Sequence, residues 1–215
     1  MQACCFDMDG VIVDSEDAWA GRERNLLPRV VPDADVALAE ITGMNYRDIY
    51  DYLAETYEVA VTKAEFVAWY DEVATEIYGS DVSLLPGARD LVADLRERGV
   101  RVAVVSSSPL DWIDVVLDRF DLAFDAVVSG DAVEGPGKPD PALYEHAAAR
   151  LGVQTGAVVA VEDSVHGIDA ARRAGTTVVG FRFGDAAGTD FADADYAPSD
   201  RETLFGLLRD LLAGD

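Results

Sequence analysis

Two rhythms of apolar and polar positions run along the 215-residue chain. At the N-terminus, and again through the second half, short apolar runs end in polar or glycine-rich loops. Helical spacing follows the later runs, the pattern of βα units in a parallel sheet. The predicted strands are Ala3 to Phe6, Val100 to Val105, Ala126 to Val128, Val158 to Val161 and Thr177 to Phe181. From about Glu16 to Tyr78 such runs are missing. There Ile49, Tyr52, Leu53 and Tyr57, then Phe66, Trp69, Tyr70 and Val73, recur at helical intervals. The expected fold class is α/β: a Rossmann-like parallel sheet core with an inserted all-helical cap domain. Residues 1–14 and 80–215 would form the core and 15–79 the cap. The aromatic stripe of the insert reads as that insert's own core.

Local punctuation fixes several ends. Thr62 with Glu65 reads as a capping box, which puts Lys63 in the first turn of a surface helix. Pro86 and Gly87 open a helix that runs to about Arg98 and stops at Gly99. Ser108, Pro109 and Asp111 read as cap, first-turn and N3 residues, leaving Ser106 and Ser107 on a loop between a strand end and a helix N-terminus, a place that suits an anion. A further helix spans Ser164 to Ala174, closed by Arg172, Arg173 and Gly175.

Composition narrows the partners. The 41 acidic and 17 basic residues leave a net charge of −24, so nucleic acid and anionic membranes are poor partners. Lys63 and Lys138 are the only lysines, and Asp outnumbers Glu by about two to one. This resembles the composition of proteins from high-salt cytoplasms, where a Debye length of about 3 Å in molar salt screens self-repulsion. Half the residues are hydrophobic, enough for a sizeable core. No apolar run is long enough to span a bilayer and no basic signal region precedes the first strand, so a cytoplasmic protein, more readily a monomer than an oligomer, is expected. Adjacent Cys4 and Cys5 offer neither a disulfide framework nor spaced metal ligands and read as buried small hydrophobes.

Chemistry concentrates at strand ends. Asp7, Asp9 and Gly10, then Ser106, Ser107 and Ser108, then Lys138, then Glu162 and Asp163 fall on four separate loops, and in an open parallel sheet such loops converge on one crevice. Crowded carboxylates repel unless a hard cation joins them, and oxygen ligands of this kind suit Mg2+. Lys138 is an isolated lysine among arginines. Its compact ammonium can touch one carboxylate and one phosphate oxygen as a point charge. The loop before it is not a nucleotide P-loop, because Ala132 and Pro139 stand where that motif needs Gly and Ser or Thr.

These residues carry a resemblance. The run from Phe6 to Ser15 with Asp7 and Asp9, Ser106 after its apolar strand, Lys138 before Pro139, and Glu162-Asp163-Ser164 before Gly167 resemble, in order, the four signatures of the haloacid dehalogenase superfamily. The helical insert is similar to the cap of the subgroup holding β-phosphoglucomutase and phosphoglycolate phosphatase. The resemblance implies a Mg2+-dependent phosphatase acting on a small phosphorylated metabolite. Asp7 would be the nucleophile forming an aspartyl-phosphate, Asp9 the general acid and base, and Ser106 and Lys138 the holders of the phosphoryl oxygens. It further implies metal contacts from Asp7, the Asp9 backbone carbonyl and Asp163, with Glu162 adjoining directly or through water. Gly10, Ser107 and a cap loop of Gly43, Asn45 and Arg47 would meet the substrate.

Departures from the pattern sharpen it. Asp9 separates the chain from true dehalogenases, and surface Lys63 from the phosphonate-cleaving relatives that need a cap lysine. Trp19 and Tyr46 stand where the mutase resemblance implies a histidine and an arginine, and Pro109 stands where it implies a basic residue. A sugar-phosphate mutase is therefore the alternative rather than the first reading. A metal-binding regulatory protein without turnover is the second alternative. His166, beside the fourth signature, reads as structural.

Overall fold

The computed structural model describes residues 1–41, 44–133, 137–184 and 191–213. Five strands, β1 (Ala3–Phe6), β2 (Arg101–Ser106), β3 (Ala126–Ser129), β4 (Val158–Glu162) and β5 (Thr177–Gly180), form one parallel sheet in the order β3-β2-β1-β4-β5. Each strand is four to six residues of mostly β-branched or small apolar side chains, buried along nearly its whole length because helices cover both faces. The two-residue alternation assigns the faces. Cys4, Phe6, Val102, Val104, Val159 and Val161 join one apolar cluster, while Ala3, Cys5, Ala103, Val105, Val158 and Ala160 join the other. The two cysteines are thus buried spacers on opposite faces.

Among the described residues eight α-helices flank the sheet or fill the insert. α4 (Ala88–Glu97), α5 (Leu110–Phe120) and α8 (Arg201–Leu211) pack on the first face, α6 (Ala142–Leu151) and α7 (Val165–Arg173) on the second. α1 (Glu16–Val30), α2 (Tyr46–Thr56) and α3 (Lys63–Glu76) lie between β1 and β2, and a five-residue π-helix, Ile77–Asp81, follows α3 directly. The chain leaves and re-enters this helical block through one antiparallel crossing. Val13 bridges Leu84, and the Leu85 amide donates to the Ile12 carbonyl at 2.8 Å. Apolar residues of the block, Leu26, Ile49, Leu53 and Phe66 among them, are continuous with the first face of the sheet. The Thr62–Glu65 capping box forms, and Lys63 pairs on the surface with Asp51 at 2.6 Å.

One predicted cap is displaced. Pro109, not Ser108, is the residue before the first turn of α5, and its extended ψ of 152° keeps it outside the helix. The Ser108 hydroxyl is drawn instead to the carboxylate of Asp9, a charged and therefore stronger acceptor. Among the described residues no helix is long and apolar enough to cross a membrane.

Candidate active site

Because β1 is central and the chain turns away from it in both directions, the ends of β1, β2 and β4 face one crevice. Asp7 and Asp9 follow β1, Ser106 ends β2, Glu162 ends β4 and Asp163 follows it; Lys138 enters ahead of α6. The structure brings all of them together. Lys138 Nζ lies 2.6 Å from Asp7 Oδ1 and 2.6 Å from Glu162 Oε1, and donates to the Val105 carbonyl at 3.2 Å. It is 6% exposed, a depth a lysine reaches only when its ammonium is fully partnered. Burial would push Lys138 down, but Asp7 and Glu162 outweigh it and raise it. One ammonium does not balance the surrounding acids. Burial pushes Asp7 up, with Glu162 and Asp9 acting the same way against Lys138, and burial, then Glu16, Asp7 and Glu162, pushes Asp163 up. Carboxylate oxygens of Asp7, Glu162 and Asp163 all lie within 4.8 Å of one another. Such a crowd of hard oxygen donors is a fit for a divalent cation.

Two glycines let these acids approach. A Cβ on Gly10, whose φ is +71°, would meet Asp163 Oδ2 at 2.2 Å, and one on Gly167 would meet Glu162 Oε2 at 1.9 Å. Among the described residues that Glu162 oxygen is buried without a hydrogen-bond partner, whereas Oε1 accepts from both Lys138 and the Tyr144 phenol. Glu162 is fully buried and does not line the crevice; it stands behind Lys138.

Asp9 is held differently, by hydroxyls alone. Ser15 Oγ donates to Oδ1 at 2.5 Å and Tyr78 Oη to the same oxygen at 2.7 Å, while Ser108 Oγ donates to Oδ2 at 3.0 Å. Ser106 Oγ sits 3.5 Å from Oδ2 and accepts from the Ser108 amide. Tyr78 in turn accepts from Trp19 Nε1 at 3.0 Å, so the helical block reaches the core acid through a two-step hydrogen-bond chain.

Above these groups is a cavity of about 260 Å3, just under the roughly 300–1,000 Å3 of ordinary ligand pockets. Asp7, Asp9, Ser106, Ser107, Lys138 and Asp163 line one end. Trp19, Tyr70 and Trp112 roof it as a stack, with Trp19 5.2 Å from Tyr70 and 5.6 Å from Trp112. The insert's aromatic stripe is therefore more than the insert's own core: Tyr70 and Ile49 pack and also face the cavity. Ser107, which also lines the cavity, carries a buried hydroxyl with no hydrogen-bond partner among the described residues.

The expected cap loop is placed elsewhere. Gly43 lies outside the described residues. Asn45 caps α2 through the Arg47 amide and donates to the Ser107 carbonyl at 2.7 Å, tying the insert to the core. Arg47 pairs with Asp131 at 2.6 Å and covers the Tyr46 ring. Neither lines the cavity over Asp7, and nor does Gly10. Residues not anticipated as site residues do line it: Trp19, Glu16 and Glu23 on α1, and Tyr70, Tyr78, Trp112 and Arg182. A signal for part of this set was present in the sequence, since Glu16, Trp19, Ala20 and Glu23 share one helical face.

The profile of the haloacid dehalogenase-like hydrolases matches residues 1–175. Hexitol phosphatase B of Escherichia coli K12 is 34% identical over 80% of this chain and 79% of its own. A phosphorylated carbohydrates phosphatase of Thermotoga maritima is 31% identical over 81% of this chain and 82% of its own. In fold, the chain superposes on β-phosphoglucomutase from Clostridium difficile with a TM-score of 0.77 at 22% identity, over 99% of this chain and 97% of that one. CbbY from Rhodobacter sphaeroides, solved with phosphate, gives 0.77 at 24% identity over 97% and 96%. The chain belongs to the haloacid dehalogenase-like hydrolase family.

Proposed function

We propose that the protein is a phosphatase that hydrolyses a phosphoric monoester of a small metabolite through a phosphorylated Asp7. The observation that carries this reading is buried Lys138 bridging Asp7 and Glu162, beside Asp163 and at the floor of the cavity. That ammonium orients Asp7 and offers positive charge to phosphoryl oxygens as charge spreads over them. Ser106 and the unpartnered Ser107 hydroxyl supply further donors on the same side. Asp9, two residues along the same loop, protonates the departing oxygen and then takes a proton from water. A divalent cation, Mg2+ in this reading, would be held by Asp7, the Asp9 carbonyl and Asp163, with Glu162 behind them. When bound, it neutralises developing negative charge.

The cavity's small size supports a metabolite rather than a macromolecular phosphoester, and the relatives named for hexitol and carbohydrate phosphates agree. Against the mutase alternative, Trp19 stands where the mutase resemblance implies a histidine, and it reaches Asp9 only through the Tyr78 phenol. A screen of phosphate release from sugar phosphates, polyol phosphates, phosphoglycolate and nucleotides, with Mg2+ in molar KCl, tests the proposal. Activity lost with Asp7→Asn supports it, and full activity in that variant overturns it. Formation of glucose 6-phosphate from β-glucose 1-phosphate and glucose 1,6-bisphosphate would favour the mutase.

A further inference from the structure

An inference about the far end of the cavity rests on the phosphatase reading above. One face of α1 runs along the cavity, with Glu16, Trp19, Ala20 and Glu23 all lining it. Glu16 belongs to the reacting end, where Asp9 and Arg182 act on its carboxyl. Glu23 stands two turns away, about 10 Å further along the helix axis at 1.5 Å per residue. Between them Trp19 lines the cavity, its ring stacked on both Tyr70 and Trp112. The Tyr70 phenol donates to Glu23 Oε1 at 2.8 Å, and the other Glu23 oxygen has no protein partner among the described residues.

We infer that this end of the cavity takes the hydroxylated tail of a neutral polyol or sugar monophosphate. The free oxygen of Glu23 accepts from a hydroxyl several carbons from the phosphoryl group, with Trp19 lining the cavity between the two ends. Tyr70 is the positioning residue: it occupies one carboxyl oxygen and turns the other to the substrate. A tail ending in a carboxylate or a second phosphate is disfavoured, since it meets the Glu23 carboxyl group. Besides Lys138 at the reacting end, Arg24 and Arg182 line the cavity but do not cancel this. Arg182 acts on Glu16 and Asp163 at the reacting end, and the Arg24 side chain is exposed to solvent. Burial pushes the Glu23 carboxyl up to about 7, so near neutrality either form can pair with a hydroxyl.

The test is steady-state hydrolysis of D-sorbitol 6-phosphate, phosphoglycolate and p-nitrophenyl phosphate by the wild type, Glu23→Ala, Glu23→Gln and Tyr70→Phe, with Mg2+ in molar KCl. The wild type is expected to favour sorbitol 6-phosphate over phosphoglycolate by tenfold or more in kcat/KM. A site built to pair with a hydroxyl discriminates strongly when the pairing is lost. In Glu23→Ala the ratio of kcat/KM for sorbitol 6-phosphate to that for p-nitrophenyl phosphate falls 10-fold to 100-fold, mainly through KM. Tyr70→Phe lowers the same ratio several-fold, and Glu23→Gln, which keeps an acceptor oxygen, retains more of it than Glu23→Ala. Because the readout is a ratio within one preparation, partial unfolding does not mimic it. A wild type that favours phosphoglycolate, or a ratio unmoved in Glu23→Ala, overturns this inference and leaves the phosphatase reading intact. Phosphate released from none of the three esters overturns both.

Discussion

Tyr78 Oη donates a 2.7 Å hydrogen bond to Asp9 Oδ1, joining the last turn of the helical insert to the carboxyl group proposed to carry the proton. The phenol is fully buried and itself receives the Trp19 indole N–H, so closing the insert over the core fixes the direction in which Asp9 points. A hydrogen bond to a charged group contributes about 1.5–3 kcal/mol. Tyr78→Phe should therefore lower kcat by about 10-fold to 100-fold on sugar or polyol phosphates. The loss should be smaller on p-nitrophenyl phosphate, whose leaving group departs without a proton. Equal losses on both esters would assign Tyr78 to packing alone.

Lys138 pairs with two buried carboxylates, Asp7 and Glu162. Removing one partner of such a buried cluster leaves uncompensated charge and costs about 3–5 kcal/mol. Lys138→Met should lose that much stability in denaturant unfolding and release no phosphate. Lys138→Arg should not restore activity, because a planar fork does not fit where one nitrogen serves Asp7, Glu162 and the Val105 carbonyl. A stability change below about 1 kcal/mol in Lys138→Met would contradict the strength assigned to this cluster.

Glu23 links pH to stability with a definite sign. Burial raises its carboxyl from 4.5 to about 7, with Glu16 adding to the rise and the Tyr70 phenol opposing it. Between those values the unfolded chain gives up the proton first, so the folded state binds more protons and loses stability as pH rises. The melting temperature of Glu23→Gln should therefore gain on that of the wild type as pH climbs through this window. Parallel melting curves across it would show that Glu23 ionises freely.

The net charge of −24 makes a separate prediction. Molar KCl shortens the screening length to about 3 Å, and the melting temperature should rise from dilute buffer to molar KCl. An unchanged value would remove self-repulsion from the account.

The sheet and the core of the site were legible in the sequence because both are local. Each strand is a continuous apolar run flanked by helical spacing, and Asp7, Asp9, Ser106, Glu162 and Asp163 sit where those runs end. What was not legible depends on the insert meeting the core. Nothing near Tyr78 in sequence announces that its phenol reaches Asp9, and Ser108 read as a helix cap until the Asp9 carboxylate was placed beside it. Asn45 and Arg47 were credible polar residues for a cap loop, yet their partners are the Ser107 carbonyl and Asp131. Tyr70 shows the limit best. Its helical spacing correctly announced burial, but a buried aromatic can face a cavity as well as a core, and periodicity does not distinguish the two.

The central claim is that phosphate passes through Asp7. Wild-type enzyme mixed with a 32P-labelled sugar or polyol phosphate and Mg2+, quenched in acid during turnover and mapped by peptide, should carry label on the peptide holding Asp7. The label should be lost in Asp7→Asn and should accumulate in Asp9→Asn, where breakdown of the intermediate is slowed. Phosphate release by the wild type with no label at Asp7 under any quench time, or undiminished release by Asp7→Asn, would contradict it.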